Sequence, residues 1–261
     1  MNDLKLALVQ TSLHWEDRDA NLRHFEQLLP QAQGADVIIL PEMFTTGFSM
    51  APERLWEAED GPARRWLLDQ ARAMNAALTA SVIVKNDAGA FVNRLYWAEP
   101  DGTLHHYDKR HLFRMAGEHE HYSPGQQQLL LTYKGWRIRP LICYDLRFPV
   151  WSRAAHDTDL LLYVANWPSP RRRHWTRLLS ARAIENLCYV AGVNRIGDDG
   201  KGTPHTGDTQ LCDFQGDVMI DAGSDDGVFH ATLSASALTD YRARFPAWQD
   251  ADEFRIEVGD R

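Results

Sequence analysis

Short apolar runs of strand length recur along the whole chain, and between them lie segments whose apolar residues return at helical spacing. The runs fall at residues 4–9, 37–40, 80–84, 91–97, 129–133, 136–143, 160–164, 188–193, 209–214 and 218–220. Runs this short suit buried strands better than helices. Helical patterns occupy 21–33, with Leu22, Phe25, Leu28 and Leu29 on one side, and 62–78, which opens on Pro62. Two more cover 174–187, with Leu178, Ala181 and Glu185 in helical register, and 234–244, ended by Pro246. Proline suits a first helical turn and stops a helix further on. Strands alternating with helices, followed by hairpin-like pairs, predict a single α/β domain of layered sheets and helices. No repeat or low-complexity linker divides it. The domain is expected to span 1–245, with the irregular, polar stretch 246–261 as a tail, frayed or docked on something such as a second subunit.

The 261 residues carry a formal net charge of −8, which argues against nucleic acid as a partner and gives no reason to expect an anionic membrane surface. No apolar run approaches the ~20 residues of a membrane helix, and MNDLKLALVQ lacks the pattern of a secretory signal. Three cysteines, Cys143, Cys188 and Cys212, cannot close a disulfide framework, and none sits in a C-x-x-C pair. A reducing cytoplasm is the expected location.

Three polar positions stand out. Cys143 ends the run RPLIC and precedes YDLRFPVWSRAA, where Pro149 suits the first turn of a helix. A thiol at a strand-to-helix turn lies near backbone N–H groups that can lower its pKa and bind an oxyanion. The plainer alternative is a small buried hydrophobe, the usual fate of a free cysteine, and to that Cys188 and Cys212 are assigned. Glu42 follows VIILP directly, so a carboxylate stands just beyond a buried strand, where burial would shift its ionisation; alternatively it is a surface turn acid. Lys109 lies in HHYDKRHLFR, a segment whose composition by itself reads as a solvated basic edge.

Taken together, LPEMFTTGF, YDKRHLF and LICYDLRFP resemble the three segments that define the nitrilase, or carbon–nitrogen hydrolase, superfamily. The resemblance continues through AGEHEHYSPG, LLYVANWPSP, RAIENLCYVAGVNRIG and FPAWQDADEF, and within the superfamily it runs to bacterial omega-amidases. It implies a four-layer α-β-β-α sandwich, usually paired into a homodimer or larger assembly through segments such as the one after Cys143 and the C-terminal tail. It also implies a catalytic set of Glu42, Lys109 and Cys143, with Glu118 positioning the lysine and substrate amide, and an oxyanion bound by Lys109 and the N–H of Tyr144. Cys143 would attack an amide carbonyl; Glu42 would move protons between thiol, ammonia and water. The implied substrate is the terminal amide of a 2-oxo dicarboxylic monoamide, which leaves a 2-oxo acid and ammonia.

Such a substrate carries a carboxylate, so a cation should line its pocket. Arg147, Arg171, Arg172 and Arg173 are candidates and Trp167 a candidate wall, none of them assigned by sequence. The same catalytic residues would also serve an aliphatic amide, an N-carbamoyl amine or a nitrile. A silent binding protein on the same fold is a further alternative. The histidines His105, His106, His111, His119 and His121 form no H-E-x-x-H helix, so no metal is expected. GFSMA lacks the last glycine of a serine elbow, and GKGTPH lacks the third glycine of a dinucleotide loop, so no cofactor is expected.

Overall fold

The computed structural model describes residues 1–153 and 157–259. Ala154 and Ala155, at the end of the segment following Cys143, and the last two residues of the expected tail lie outside the described residues.

In chain order the strands are β1 (Leu4–Gln10), β2 (Val37–Ile39), β3 (Ala77–Lys85), β4 (Phe91–Ala98), β5 (Leu104–Asp108), β6 (Leu131–Tyr133) and β7 (Trp136–Ile142). They continue as β8 (Leu160–Val164), β9 (Tyr189–Val193), β10 (Ile196–Asp198), β11 (Pro204–Thr206), β12 (Gln210–Cys212), β13 (Val218–Asp221) and β14 (Gly227–Leu233). The helices are α1 (Arg18–Leu28), α2 (Pro52–Leu55), α3 (Pro62–Met74), α4 (Glu118–His121), α5 (Pro149–Ser152), α6 (Arg172–Asn186) and α7 (Ala235–Arg244). One six-stranded sheet has the order β14-β1-β2-β3-β4-β5 and the other β13-β12-β9-β8-β7-β6, while β10 and β11 form a separate ribbon.

Side-chain alternation sorts the first sheet into two faces. Leu4, Leu6 and Leu8 of β1, with Val37 and Ile39 of β2 and Leu95 and Trp97 of β4, share a core with Trp136, Ile138 and Leu141 of the second sheet. The residues in between, Ala7, Val9 and Ile38, join Phe25 of α1 and Trp66, Leu67 and Ala71 of α3 in a second core. Trp175, Leu179 and Ala183 of α6 and Leu238 of α7 cover the other sheet. Burying both faces of both sheets leaves helices outside, and the architecture is the expected α-β-β-α sandwich.

Each sheet has a parallel centre, β1-β2-β3 in one and β7-β8-β9 in the other, flanked by antiparallel strands. Parallel neighbours require crossovers, which run through α1, α3, the segment after β7, and α6. The carboxyl ends of the central strands therefore open onto loops, where α/β sheets hold their ligands.

One helix boundary and four strands differ most from the sequence reading. The helix expected over 62–78 stops at Met74, because Asn75 turns left-handed at φ 51° and Ala77 already pairs into β3. β5 and β14 were not anticipated; both are sheet edges whose partly exposed residues break the apolar pattern. The short strands β10 and β11 carry almost no apolar signal either. Residues 251–258 of the tail lie across the body beside Trp151 and Arg139, with Ile256 and Val258 against the core.

Candidate active site

Strand β7 ends at Ile142, and Cys143 opens a single 3₁₀ turn, Cys143–Arg147, before Pro149 starts α5. Cys143 has φ 43°, a backbone state that costs a non-glycine residue energy and persists only where its surroundings enforce it. Asp145 enforces it. Its Oδ2 accepts from Ile142 N–H (3.0 Å) and from the Tyr107 hydroxyl (2.7 Å), and its Oδ1 accepts from His111 N–H (3.0 Å) and lies 2.8 Å from His111 Nδ1. Tyr107 and His111 flank Lys109, so one buried carboxylate joins the lysine segment to the cysteine turn.

Glu42 follows β2, Lys109 follows β5, and Glu118 opens α4. All three are buried, Lys109 with 1% exposure and both glutamates with none. The plainer readings of Glu42 as a surface turn acid, and of Lys109 as a solvated edge, therefore do not hold. Lys109 Nζ donates to Glu42 Oε1 (2.9 Å) and to Glu118 Oε1 and Oε2 (2.9 and 3.1 Å). Glu42 is braced further by Asn93 Nδ2 (2.8 Å to Oε1) and Asn166 N–H (2.8 Å to Oε2). Asn166 Nδ2 also donates to the Glu42 carbonyl, and Phe113 N–H donates to Glu118.

Burial opposes charge on Lys109, but the carboxylates of Glu118 and Glu42 outweigh it and hold the ammonium above its ordinary pKa. Burial lifts the Glu118 carboxyl, only partly offset by Lys109. Burial, then the Glu42 charge, push the Cys143 thiol well above the ordinary thiol range against the pull of Lys109. The expectation that turn amides would lower this pKa is corrected: burial and the neighbouring Glu42 carboxylate raise it, which favours the thiol over the thiolate and calls for a nearby base. Cys188 and Cys212 are fully buried in the core, as expected.

Cys143, Lys109 and Tyr144 line a cavity of about 320 Å³, with Phe48 and Trp167 among its walls. Arg147 and Arg171 line it too, whereas Arg172 is held bidentately by Asp208 (3.1 and 2.6 Å). Arg173 is not among the lining residues. The sequence reading missed Asp145 and Asn166, although both lie within quoted segments, LICYDLRFP and LLYVANWPSP; it also missed Lys201 and His205, which reach the cavity from the β10–β11 ribbon. Among the described residues no group of three or more His, Cys, Asp or Glu could hold a metal, and no helix is long and apolar enough to cross a membrane.

Known proteins resemble this chain in sequence and fold. A family model described as carbon–nitrogen hydrolase matches residues 5–243. The omega-amidase YafV of Escherichia coli (strain K12) is 51% identical over 257 residues, spanning 98% of this chain and 100% of that protein. The 2-oxoglutaramate amidase of Bacillus subtilis (strain 168) is 32% identical over 252 residues, spanning 94% and 96%. A CN-hydrolase superfamily protein from Xanthomonas campestris, solved with an arsenic adduct in its active site, superposes with a TM-score of 0.96 at 46% identity, covering 98% of this chain and 100% of that one. A mutant amidase from Nesterenkonia sp. AN1, solved after Michael addition of acrylamide at its active-site cysteine, gives 0.81 at 26% identity, covering 93% and 98%.

Proposed function

The chain belongs to the carbon–nitrogen hydrolase family and is an enzyme acting on an amide, and from that premise we propose an omega-amidase that releases ammonia from a 2-oxo dicarboxylic monoamide through a thioester on Cys143. The observation that carries the reading is the buried Glu42–Lys109–Glu118 cluster, whose lysine lines the same cavity as Cys143. Electrophiles found in the active site of the Xanthomonas relative, and on the active-site cysteine of the Nesterenkonia amidase, support a nucleophilic role for Cys143.

In this mechanism Glu42 takes the Cys143 proton as sulfur bonds to the amide carbon, and the carbonyl electron pair moves onto oxygen. The Lys109 ammonium and the Tyr144 N–H stabilise that oxyanion; losing one such donor typically costs about 10²- to 10³-fold in rate. Collapse breaks the carbon–nitrogen bond, and protonated Glu42 passes its proton to departing ammonia. Water then attacks the thioester with Glu42 as base, which restores the thiol and releases the carboxylic acid. Glu118 keeps Lys109 charged and aimed. Arg147, four residues past Cys143 and lining the cavity, is a cation available to the substrate carboxylate.

The same proposal includes the unit 1–245, a cytoplasmic location and pairing with a second copy through the surface around α5, α6 and the tail. Val150, Ile184 and Phe254 support the pairing, since each is at least half exposed there. Three free thiols suit a reducing compartment.

An ammonia-release screen tests the activity across 2-oxoglutaramate, 2-oxosuccinamate, simple amides, carbamoyl amino acids and nitriles, with Cys143→Ala as control. Fastest turnover of a 2-oxo monoamide is expected. Preference for a nitrile over every amide overturns the omega-amidase reading.

A further inference from the structure

The cavity in front of Cys143 is lined by more positive than negative charge, although the whole chain carries a net −8. Among the described residues that line it, Asp199 is the one carboxylate. That carboxylate is engaged within its own turn, accepting from Lys201 N–H and Thr203 N–H at 2.8 Å each. On the positive side, Lys109 is neutralised by its two glutamates, and Arg147 bonds His174 (3.0 Å) while lying over Trp167 and Tyr144. Two cations remain. The Arg171 guanidinium lies 5.0 Å over the Phe113 ring and 3.9 Å from the Met115 sulfur, with no acidic partner among the described residues. Lys201 senses Glu16 at longer range, but that carboxylate is already held by Ser49 and Arg54.

The turn that carries Lys201 is seated, not loose. Gly200 lies so close to Trp15 that a Cβ there would stand 2.3 Å from the indole. On another side of the same ring, a Cβ on Gly47 would stand 3.1 Å away, and Gly47 precedes cavity-lining Phe48. Trp15 therefore sets the β10–β11 turn against the loop that follows Glu42. Arg171 is steadied in a comparable way, its planar fork lying on an aromatic face.

We propose that Arg171 and Lys201 form a carboxylate-reading pair at the mouth of the cavity, selecting amides whose far end is an anionic 2-oxo acid head over neutral amides. The identity of the substrate rests on the omega-amidase reading; the sign of its charge does not. A 2-oxo acid head presents two carboxylate oxygens and an adjacent carbonyl, more acceptor edges than the single fork of Arg147 can satisfy. In a protein of net negative charge, an anion also needs a locally positive mouth to enter.

Alkylation of Cys143 by iodoacetate and by iodoacetamide tests the pair, because the reagents are close in size and differ in charge. The ratio of their rates reads the mouth's charge without any amide being turned over. Arg171→Gln and Lys201→Gln are each expected to lower the iodoacetate-to-iodoacetamide ratio about threefold, and the double variant about tenfold at low salt. The KM for 2-oxoglutaramate should rise in the same order, while Arg23→Gln on α1 leaves the ratio unchanged. An unchanged ratio in the double variant overturns the pair. A lowered ratio in an enzyme whose wild type releases no ammonia from 2-oxoglutaramate overturns the omega-amidase reading and leaves the pair standing.

Discussion

The Asp145 carboxylate accepts a 2.7 Å hydrogen bond from the Tyr107 hydroxyl, and this bond ties β5 of one sheet to the nucleophile turn of the other. Lys109 sits two residues beyond Tyr107 and Cys143 two residues before Asp145. The relative placement of amine and sulfur therefore passes through one buried carboxylate, which His111 also contacts.

Asp145→Asn is expected to loosen that placement. An amide –NH₂ would face one of the donors now directed at Asp145, leaving a buried group unpaired at a cost of about 1–3 kcal/mol. We expect a lower thermal midpoint and a kcat reduced far more than KM is changed. Wild-type kcat in a folded Asp145→Asn enzyme would show that the contact has no role in positioning.

Cys143 should be the thiol that reacts. It keeps 8% exposure on the cavity, against none for Cys188 and Cys212. Iodoacetamide is expected to modify Cys143 first, and substrate to protect it. Because its pKa is raised, the rate in free enzyme should still climb past pH 9. A plateau near neutrality, read by mass spectrometry of quenched samples, would indicate a preformed thiolate.

Lys109→Met removes the counter-ion of two buried carboxylates, and breaking a buried pair in this way typically costs about 3–5 kcal/mol. A buried carboxyl whose folded pKa lies above its unfolded value contributes stability below the unfolded value, lost as pH rises through the folded one. The raised pKa of Glu118 already points in that direction, and loss of Lys109 pushes it further up. The variant should therefore be inactive and should lose more stability relative to wild type at pH 8 than at pH 5. Urea unfolding at both pH values measures it; an equal loss at both would contradict the proposed electrostatics.

Gly125→Ala tests the backbone around the lysine. Gly125 N–H donates to the Lys109 carbonyl at 2.8 Å, and a Cβ would stand 2.0 Å from the Asp108 carbonyl oxygen. That oxygen cannot yield without moving Lys109. At least tenfold loss of kcat is expected, on the order of 1.4 kcal/mol in barrier. Unaltered steady-state kinetics would mean the strand end adapts freely.

Local pattern carried much of the reading. The apolar runs at 4–9, 160–164 and 188–193 match β1, β8 and β9 closely, because a strand buried on both faces is apolar nearly throughout, with Lys5 of β1 the exposed exception. Edge strands β5 and β14 escaped it because one side of each faces solvent and tolerates polar residues. Glu42, Lys109, Glu118 and Cys143 were legible through the motifs around them. Asp145 and Asn166 lie in or beside those same motifs, yet their partners are distant: Tyr107 is 38 residues from Asp145, and Glu42 is 124 from Asn166.

From its order of residues alone the chain determined its layers, its family resemblance and the chemical types in its site, since these follow from side-chain alternation and short contiguous motifs. Tertiary structure decided the charge states and the shape of the mouth. Lys109 and Glu42 are 67 residues apart in the chain and 2.9 Å apart in space. Ionisation depends on distance through space and on the exclusion of water, and folding sets both.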